Sequence, residues 1–234
     1  MPPVRAHSVA ATTGLLVWLT ACGSSNAPVP SASQRPQYVG PIGSLTRAEL
    51  DVENGATTIT VAGDDLGDNL YHAEIVQPGA TLNVTQDTPG LVRLWVGQPG
   101  SGTSHMRITV SSRIPWERLI NGGTQRTLLD LRQVRVAAVR VSAGAQELTL
   151  YLPPPRGTVP VVLTGGESDL IIHVASGAAT QLEVSPGART ITVDGHTDTD
   201  AAQRTYTSDA YTTATDRYHI QSQAGAGTIR LDHG

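Results

Sequence analysis

Hydrophobic and polar residues alternate in short runs along most of this chain. Leu50-Asp-Val52, Thr58-Ile-Thr-Val61, Leu70-Tyr-His-Ala-Glu-Ile-Val76 and Leu82-Asn-Val84 set the pattern, and Leu91 to Val96 and Met106 to Val110 continue it. A period of two places successive side chains on opposite faces, the signature of strands with one wet face. Pro115 to Ile120 fits a turn of helix or the opening of a strand. Further strands are expected at Leu128–Leu131, Val134–Val136, Val139–Val141, Leu148–Leu152, Val161–Leu163, Leu170–Val174, Leu182–Val184 and Ile191–Val193. Ile220 to Leu231 closes the series, and the polar 194–217 segment before it reads as a loop.

The densest part of the pattern repeats. Val141-Ser-Ala-Gly-Ala-Gln-Glu-Leu148, Leu163-Thr-Gly-Gly-Glu-Ser-Asp-Leu170 and Val184-Ser-Pro-Gly-Ala-Arg-Thr-Ile191 start 22 and 21 residues apart. Each leaves one run, crosses a small-residue turn and opens the next. Val52–Ile59, Val84–Leu91 and Ser222–Ile229 carry the same pattern, which makes six copies. A period of this length belongs to stacked repeats, in which each coil buries its apolar face only against its neighbours. The expected fold is all-β and β-helix-like, with a β-sandwich as the alternative. Pro153-Pro-Pro155 cannot donate to a ladder and belongs at an edge or corner.

The N-terminal segment departs from this pattern. Arg5 and His7 precede a short apolar run, Gly14 to Thr20, which is too short to span a bilayer and suits the core of an export signal. The run ends in Leu19-Thr-Ala-Cys22-Gly23, which resembles the lipobox of bacterial lipoproteins. That resemblance implies cleavage after Ala21, lipidation of Cys22, and a mature chain held on the extracytoplasmic face of the cell membrane. Residues 22–46, rich in Ser, Ala and Pro, read as a tether with a reach of roughly 25–30 Å. The organisation is therefore a signal peptide over 1–21, an anchored linker over 22–46 and a β-repeat domain over 47–234.

Composition changes this picture only at the margins. Hydrophobic residues make up 39% and charged residues 15%, and Phe is absent, so the core must be built from Val, Leu and Ile with a few Trp and Tyr. All 16 basic residues are Arg, which reads as a compositional bias of the genome. A net charge of −4 excludes a broadly basic nucleic-acid surface. Cys22 is the only cysteine, so no internal disulfide can form.

One family resemblance bears on the domain. Leu119-Ile-Asn-Gly-Gly123 with Leu128–Leu131, Val139 to Pro153, and the closing Tyr206–Tyr211, Arg217–Ile220 and Gly225–Leu231 resemble the toast-rack domains of bacterial envelope proteins. These include the LiaF-type and the DUF4097-type putative adhesin domains. The resemblance covers about residues 50–232 and rests on turns and ladders. It implies a right-handed, single-stranded β-helix of the toast-rack kind and a role at the envelope.

Chemistry is sparse. Asp194-Gly-His196-Thr-Asp198-Thr-Asp200 puts acidic residues and an imidazole at alternate positions, a possible cation loop. An EF-hand loop would need Gly and Glu where Thr199 and Thr205 stand, so the loop reads first as solvated chain beyond a strand end. Gly63 to Asn69 is a similar acidic turn, and no His pair has zinc spacing. No nucleophile elbow, phosphate loop or dinucleotide fingerprint occurs, and no catalytic residue, metal or cofactor is assigned. Trp95, Trp116, Tyr206, Tyr211 and Tyr218 form a glycan-stacking face or cap the core, and Glu147, Glu167 and Asp169 form a conceivable carboxylate row. The expected function is a non-enzymatic, lipid-anchored interaction, sensing or adhesin-like domain. Its partners are the membrane, through Cys22, and an envelope protein or cell-wall glycan. A polysaccharide-active enzyme and a passive structural module are the alternatives.

Overall fold

Small residues at the corners and aliphatic residues between them decide how this chain winds. The computed structural model describes residues 37–234 apart from 54–55, 77–78, 99–101 and 118–119. The lipobox and Cys22 lie outside the described residues. The first strands are β1 (Gln37–Pro41), β2 (Ala48–Val52), β3 (Thr58–Asp64), β4 (Asn69–Val76), β5 (Thr81–Thr88), β6 (Leu91–Gln98) and β7 (His105–Ser111). Next come β8 (Pro115–Glu117), β9 (Thr124–Asp130), β10 (Arg135–Val136), β11 (Val139–Val141), β12 (Ala145–Leu152), β13 (Thr158–Leu163) and β14 (Glu167–Val174). The last are β15 (Ala179–Val184), β16 (Ala188–Val193), β17 (His196–Ala201), β18 (Arg204–Thr207), β19 (Arg217–Ser222) and β20 (Ala226–His233). No helix occurs among the described residues.

The fold is β-helix-like. One ten-stranded sheet has the order β1-β4-β7-β3-β9-β12-β14-β20-β16-β17, and two five-stranded sheets have the orders β10-β8-β2-β6-β5 and β11-β13-β19-β15-β18. Ile120 bridges to both Val52 and Val141 and so links the two smaller sheets. Each coil is one strand of a smaller sheet, a corner, and one strand of the large sheet. Leu50, Ile59, Leu129, Val139, Leu150, Val161, Ile172 and Ile220 are fully buried and build the aliphatic ladders. Those ladders supply the main driving force, at about 1.5–3 kcal/mol for each large side chain fully removed from water.

The coils do not stack in chain order. The β2–β3 coil lies between the β6–β7 coil and β8–β9, and the β19–β20 coil lies between β13–β14 and β15–β16. Of the three closely spaced repeat copies, the first two are therefore neighbours, while the C-terminal copy separates the second from the third. Both ends of the large sheet are finished by antiparallel strands: β4 on β7 and β1 on β4 at one end, β17 on β16 at the other. In the smaller sheets β5 and β18 do the same. Reversed end strands blunt the edges through which parallel stacks would add further copies.

Close approach at the corners explains why glycine recurs there. A Cβ on Gly144 would stand 2.7 Å from the carbonyl oxygen of Gly166 in the next coil, and one on Gly165 would collide with the carbonyl group of Ala143. The turn chemistry thus follows from coil-to-coil contact between backbones.

Three expectations are corrected. Val84–Leu91 is the end of β5, the Pro89-Gly90 turn and the start of β6 in an antiparallel hairpin, with an irregularity in register at Thr85/Thr88, and is no coil corner. Its Pro89-Gly90 imitates the corner pattern, but the strands it joins pair with each other. The sheet begins at Gln37, inside the stretch read as tether, because β1 pairs with β4 and Tyr38 packs against the core. The 194–217 segment is only partly loop: β17 and β18 are paired strands whose outer faces are polar because they cap the stack. Pro115–Glu117 resolves as a strand.

Candidate functional site

In the coils around β12 and β14 the in-and-out alternation is broken once, by two successive outward residues just after the corner. Ala145 is buried, Gln146 and Glu147 face outward, and Leu148 is buried; Glu167, Ser168, Asp169 and Leu170 follow the same scheme. Glu147 therefore pairs in register with Asp169, whereas Glu167 pairs with Ala145 and Ala226. The carboxylate row is corrected by this phase. Glu147 and Asp169 share the wet face, where Arg126 donates to Glu147 at 3.2 Å. Glu167 occupies an inner position that the flanking strands give to alanine. It is 3% exposed, and neither of its carboxylate oxygens has a hydrogen-bond partner. Desolvation by burial pushes it up to about 7.

The 194–200 candidates do not converge. Asp194 and Gly195 both have positive φ, 49° and 83°, and make the two-residue turn between β16 and β17. Asp-Gly between alternating runs is a hairpin signal, and it was available in the sequence. The Asp194 carboxylate lies 2.8 Å from His233 Nδ1 and accepts from the His233 backbone N–H at 2.9 Å. His233 Nε2 lies 3.1 Å from the hydroxyl of Thr180, whose backbone N–H donates to Ser208 Oγ at 2.9 Å. With the proton on Nδ1, Nε2 accepts from Thr180, so the imidazole ties the large sheet to the small one at the last coil. Asp198 turns elsewhere and accepts from the Tyr206 hydroxyl at 2.6 Å. Burial, and then that bond, push Tyr206 up to about 12. His196 lies 3.6 Å from Asp198 and is exposed, as is Asp200. Among the described residues no three His, Cys, Asp or Glu side chains are grouped to hold a metal.

The aromatic residues singled out in the sequence do not make one face. Trp116 and Tyr218 are core residues, their polar atoms satisfied by the carbonyls of Ser111 at 2.8 Å and Pro153 at 2.7 Å. A different aromatic group stands on the wet face. Tyr151 and His173 are register neighbours, stacked with centroids 4.5 Å apart and planes 12° apart. The Arg132 guanidinium covers Tyr151 at 4.9 Å and is clamped by Asp130 through bonds of 2.8 and 2.6 Å. The Arg132 bonds hold the Asp130 carboxyl below the usual carboxylate range. On the far side Asp232 lies 3.8 Å from His173 and accepts from Arg230 at 2.6 Å. The register of β9, β12, β14 and β20 sets this line, since Asp130, Tyr151, His173 and Asp232 are successive cross-strand neighbours.

The stack borders a groove of about 400 Å³ lined by Arg132, Tyr151, Pro153, Pro154, His173 and Val174 among others. Leu152, Val174 and Ala175 make an apolar floor, and Tyr151 and His173 bring a hydroxyl and an imidazole to its wall. Such a site can hold a ring with an apolar face while offering directional hydrogen bonds. The alternation Ile172-His173-Val174 puts His173 on the wet side of its strand, but nothing in it pairs His173 with Tyr151.

No family model matches the chain, and no curated protein matches it. Among solved structures, one described as a putative cell adhesion protein from Clostridium sporogenes is similar at a TM-score of 0.66 and 15% identity. The match covers 86% of this chain and 99% of that one, and it shows a shared fold. A structure described as a putative adhesin from Bacteroides fragilis is 12% identical over 86% of this chain and 98% of that one. Its TM-score of 0.28 carries no argument.

Proposed function

We propose that this chain is a lipid-anchored, extracytoplasmic interaction module of the bacterial cell envelope, adhesin-like and non-enzymatic, with the groove beside Pro153–Pro154 as its contact surface. The observation that carries the reading is that groove: an apolar floor and a fixed planar stack at the corner of a rigid β face. The fold shared with a structure described as a putative cell adhesion protein supports it. The Leu19–Cys22 lipobox supports the anchor, since two or more acyl chains make attachment stable where one holds only marginally.

Two measurements test the reading. Cys22→Ala is expected to move the chain from the membrane to the soluble fraction on cell fractionation, with an unchanged melting temperature. A variant that stays membrane-bound refutes the anchor. The full chain is also expected to co-sediment with insoluble cell-wall material, and failure to do so refutes the contact surface. Turnover of a wall glycan that disappears in Glu147→Gln would replace the binding reading with the enzymatic one, because Glu147 and Asp169 are the adjacent outward carboxylates.

A further inference from the structure

A second groove adjoins the first, and the two share Arg132, Pro153 and Pro154. It encloses about 440 Å³ and is lined by three arginines, Arg132, Arg135 and Arg156, with no Asp or Glu among its lining residues. Asp130 compensates Arg132, so the positive charge of this groove is carried by Arg135 and Arg156, on a chain of net charge −4. All three arginines are exposed. Arg132 is held in place by Asp130, and Arg135 donates one Nη2 bond to the carbonyl of Arg113 at 2.7 Å. Arg156 sits on the proline corner itself, next to the positive-φ residue Gly157 that turns the chain into β13.

We infer that the two grooves together take a polyuronate, a polysaccharide whose sugar units carry carboxylates. The inference rests on the reading of this corner as a contact surface and names its ligand. Guanidinium forks match carboxylates through paired, charge-assisted hydrogen bonds. The apolar groove matches the carbon face of a pyranose ring, with the Tyr151 and His173 edges beside it for the ring hydroxyls. A uronate unit carries both features on one ring, and the adjoining grooves present the same two features on the protein. A phosphate polymer without rings would satisfy the arginines and leave the apolar floor wet. A neutral glycan would do the opposite.

The test measures binding of the full chain, by isothermal titration calorimetry, to three probes. These are polygalacturonate, its fully methyl-esterified form, and poly(glycerol phosphate). Polygalacturonate is expected to bind, and the esterified and phosphate polymers to bind at least about tenfold more weakly. The double variant Arg135→Ala/Arg156→Ala is expected to weaken polygalacturonate binding by about tenfold or more with no change in melting temperature. Equal binding of the esterified polymer, or no effect of the arginine variant, overturns the uronate inference and leaves the contact surface standing. Equal or tighter binding of poly(glycerol phosphate) likewise overturns it. If none of the probes binds while the chain still sediments with wall material, the ligand is wrong and the surface survives. If wall binding is absent too, both fall.

Discussion

Deleting residues 217–234, the coil that comes last in the sequence, is expected to abolish the cooperative unfolding transition. In a stack wound in sequence order, removing the last coil shortens one end, and the remaining coils keep their neighbours. Here β19 pairs with both β13 and β15, and β20 with both β14 and β16. The deletion removes Tyr218, Ile220, Ile229 and Leu231, all fully buried, and cuts the third repeat copy off from the second. At roughly 1.5–3 kcal/mol for each large side chain, the loss rivals the whole stability of an ordinary domain. Circular dichroism melts and size-exclusion chromatography would read the result. By contrast, deleting the capping segment 196–207 should leave a cooperative melt while uncovering the edges of β15 and β16, so that the chain self-associates. A truncated 1–216 chain that melts at the full-length temperature would show that the coil order is wrong.

Glu167→Ala is expected to stabilise the protein above pH 7 by about 1–3 kcal/mol, the usual cost of a buried polar group without a partner. The effect should fade on acidification. The folded protein holds the Glu167 proton more tightly than the unfolded chain does, with the group at about 7 against an ordinary 4.5. The stability tied to this proton is therefore fully present below about pH 4.5 and is lost as pH rises through 7. Alanine at 167 removes that dependence and matches Ala145 and Ala226 on either side. Below pH 4.5 the order should reverse slightly, because the neutral glutamate still fills its space. Urea titrations at pH 4.5 and pH 8 measure the difference, and a variant less stable than the parent at pH 8 would show that Glu167 has a partner after all.

The corners were legible before the structure because their requirement is local. A coil turn passing within contact of the next coil's backbone admits Gly144 or Gly165 and little else. The order of coils was not legible, since the ladders Leu148, Leu170, Ile191 and Ile229 are interchangeable aliphatics and any of them could sit beside any other. Ile120–Thr127 went uncounted as a corner because Thr127, buried and bonded to Thr124 at 2.7 Å, stands where the other copies place Leu or Ile. The same limit applies to the site. Tyr151 and His173 are 22 residues apart in sequence and meet only through the register of β12 and β14. Arg132, Arg135 and Arg156 look like unremarkable surface charges until the proline corner brings them to one groove. The Asp194–His196–Asp198–Asp200 pattern spans the β16–β17 turn and the capping strand β17. Its alternation is that of a capping strand, so Asp194 is drawn to His233 and Asp198 to Tyr206.

These observations leave one corner of the stack that combines a rigid frame, an apolar floor and a concentration of positive charge. Ala175 lies on that floor, in the turn closed by the Ala178 N–H to Ala175 carbonyl bond of 3.0 Å. Its backbone makes the turn, and its side chain only borders the groove. Ala175→Trp fills the groove and leaves the anchor, Arg135 and Arg156 unchanged. The decisive measurement is co-sedimentation of the parent and Ala175→Trp chains with cell-wall material, alongside their melting temperatures. Loss of wall binding by the variant at an unchanged melting temperature is the predicted result. Undiminished binding would contradict the assignment of this corner as the working surface.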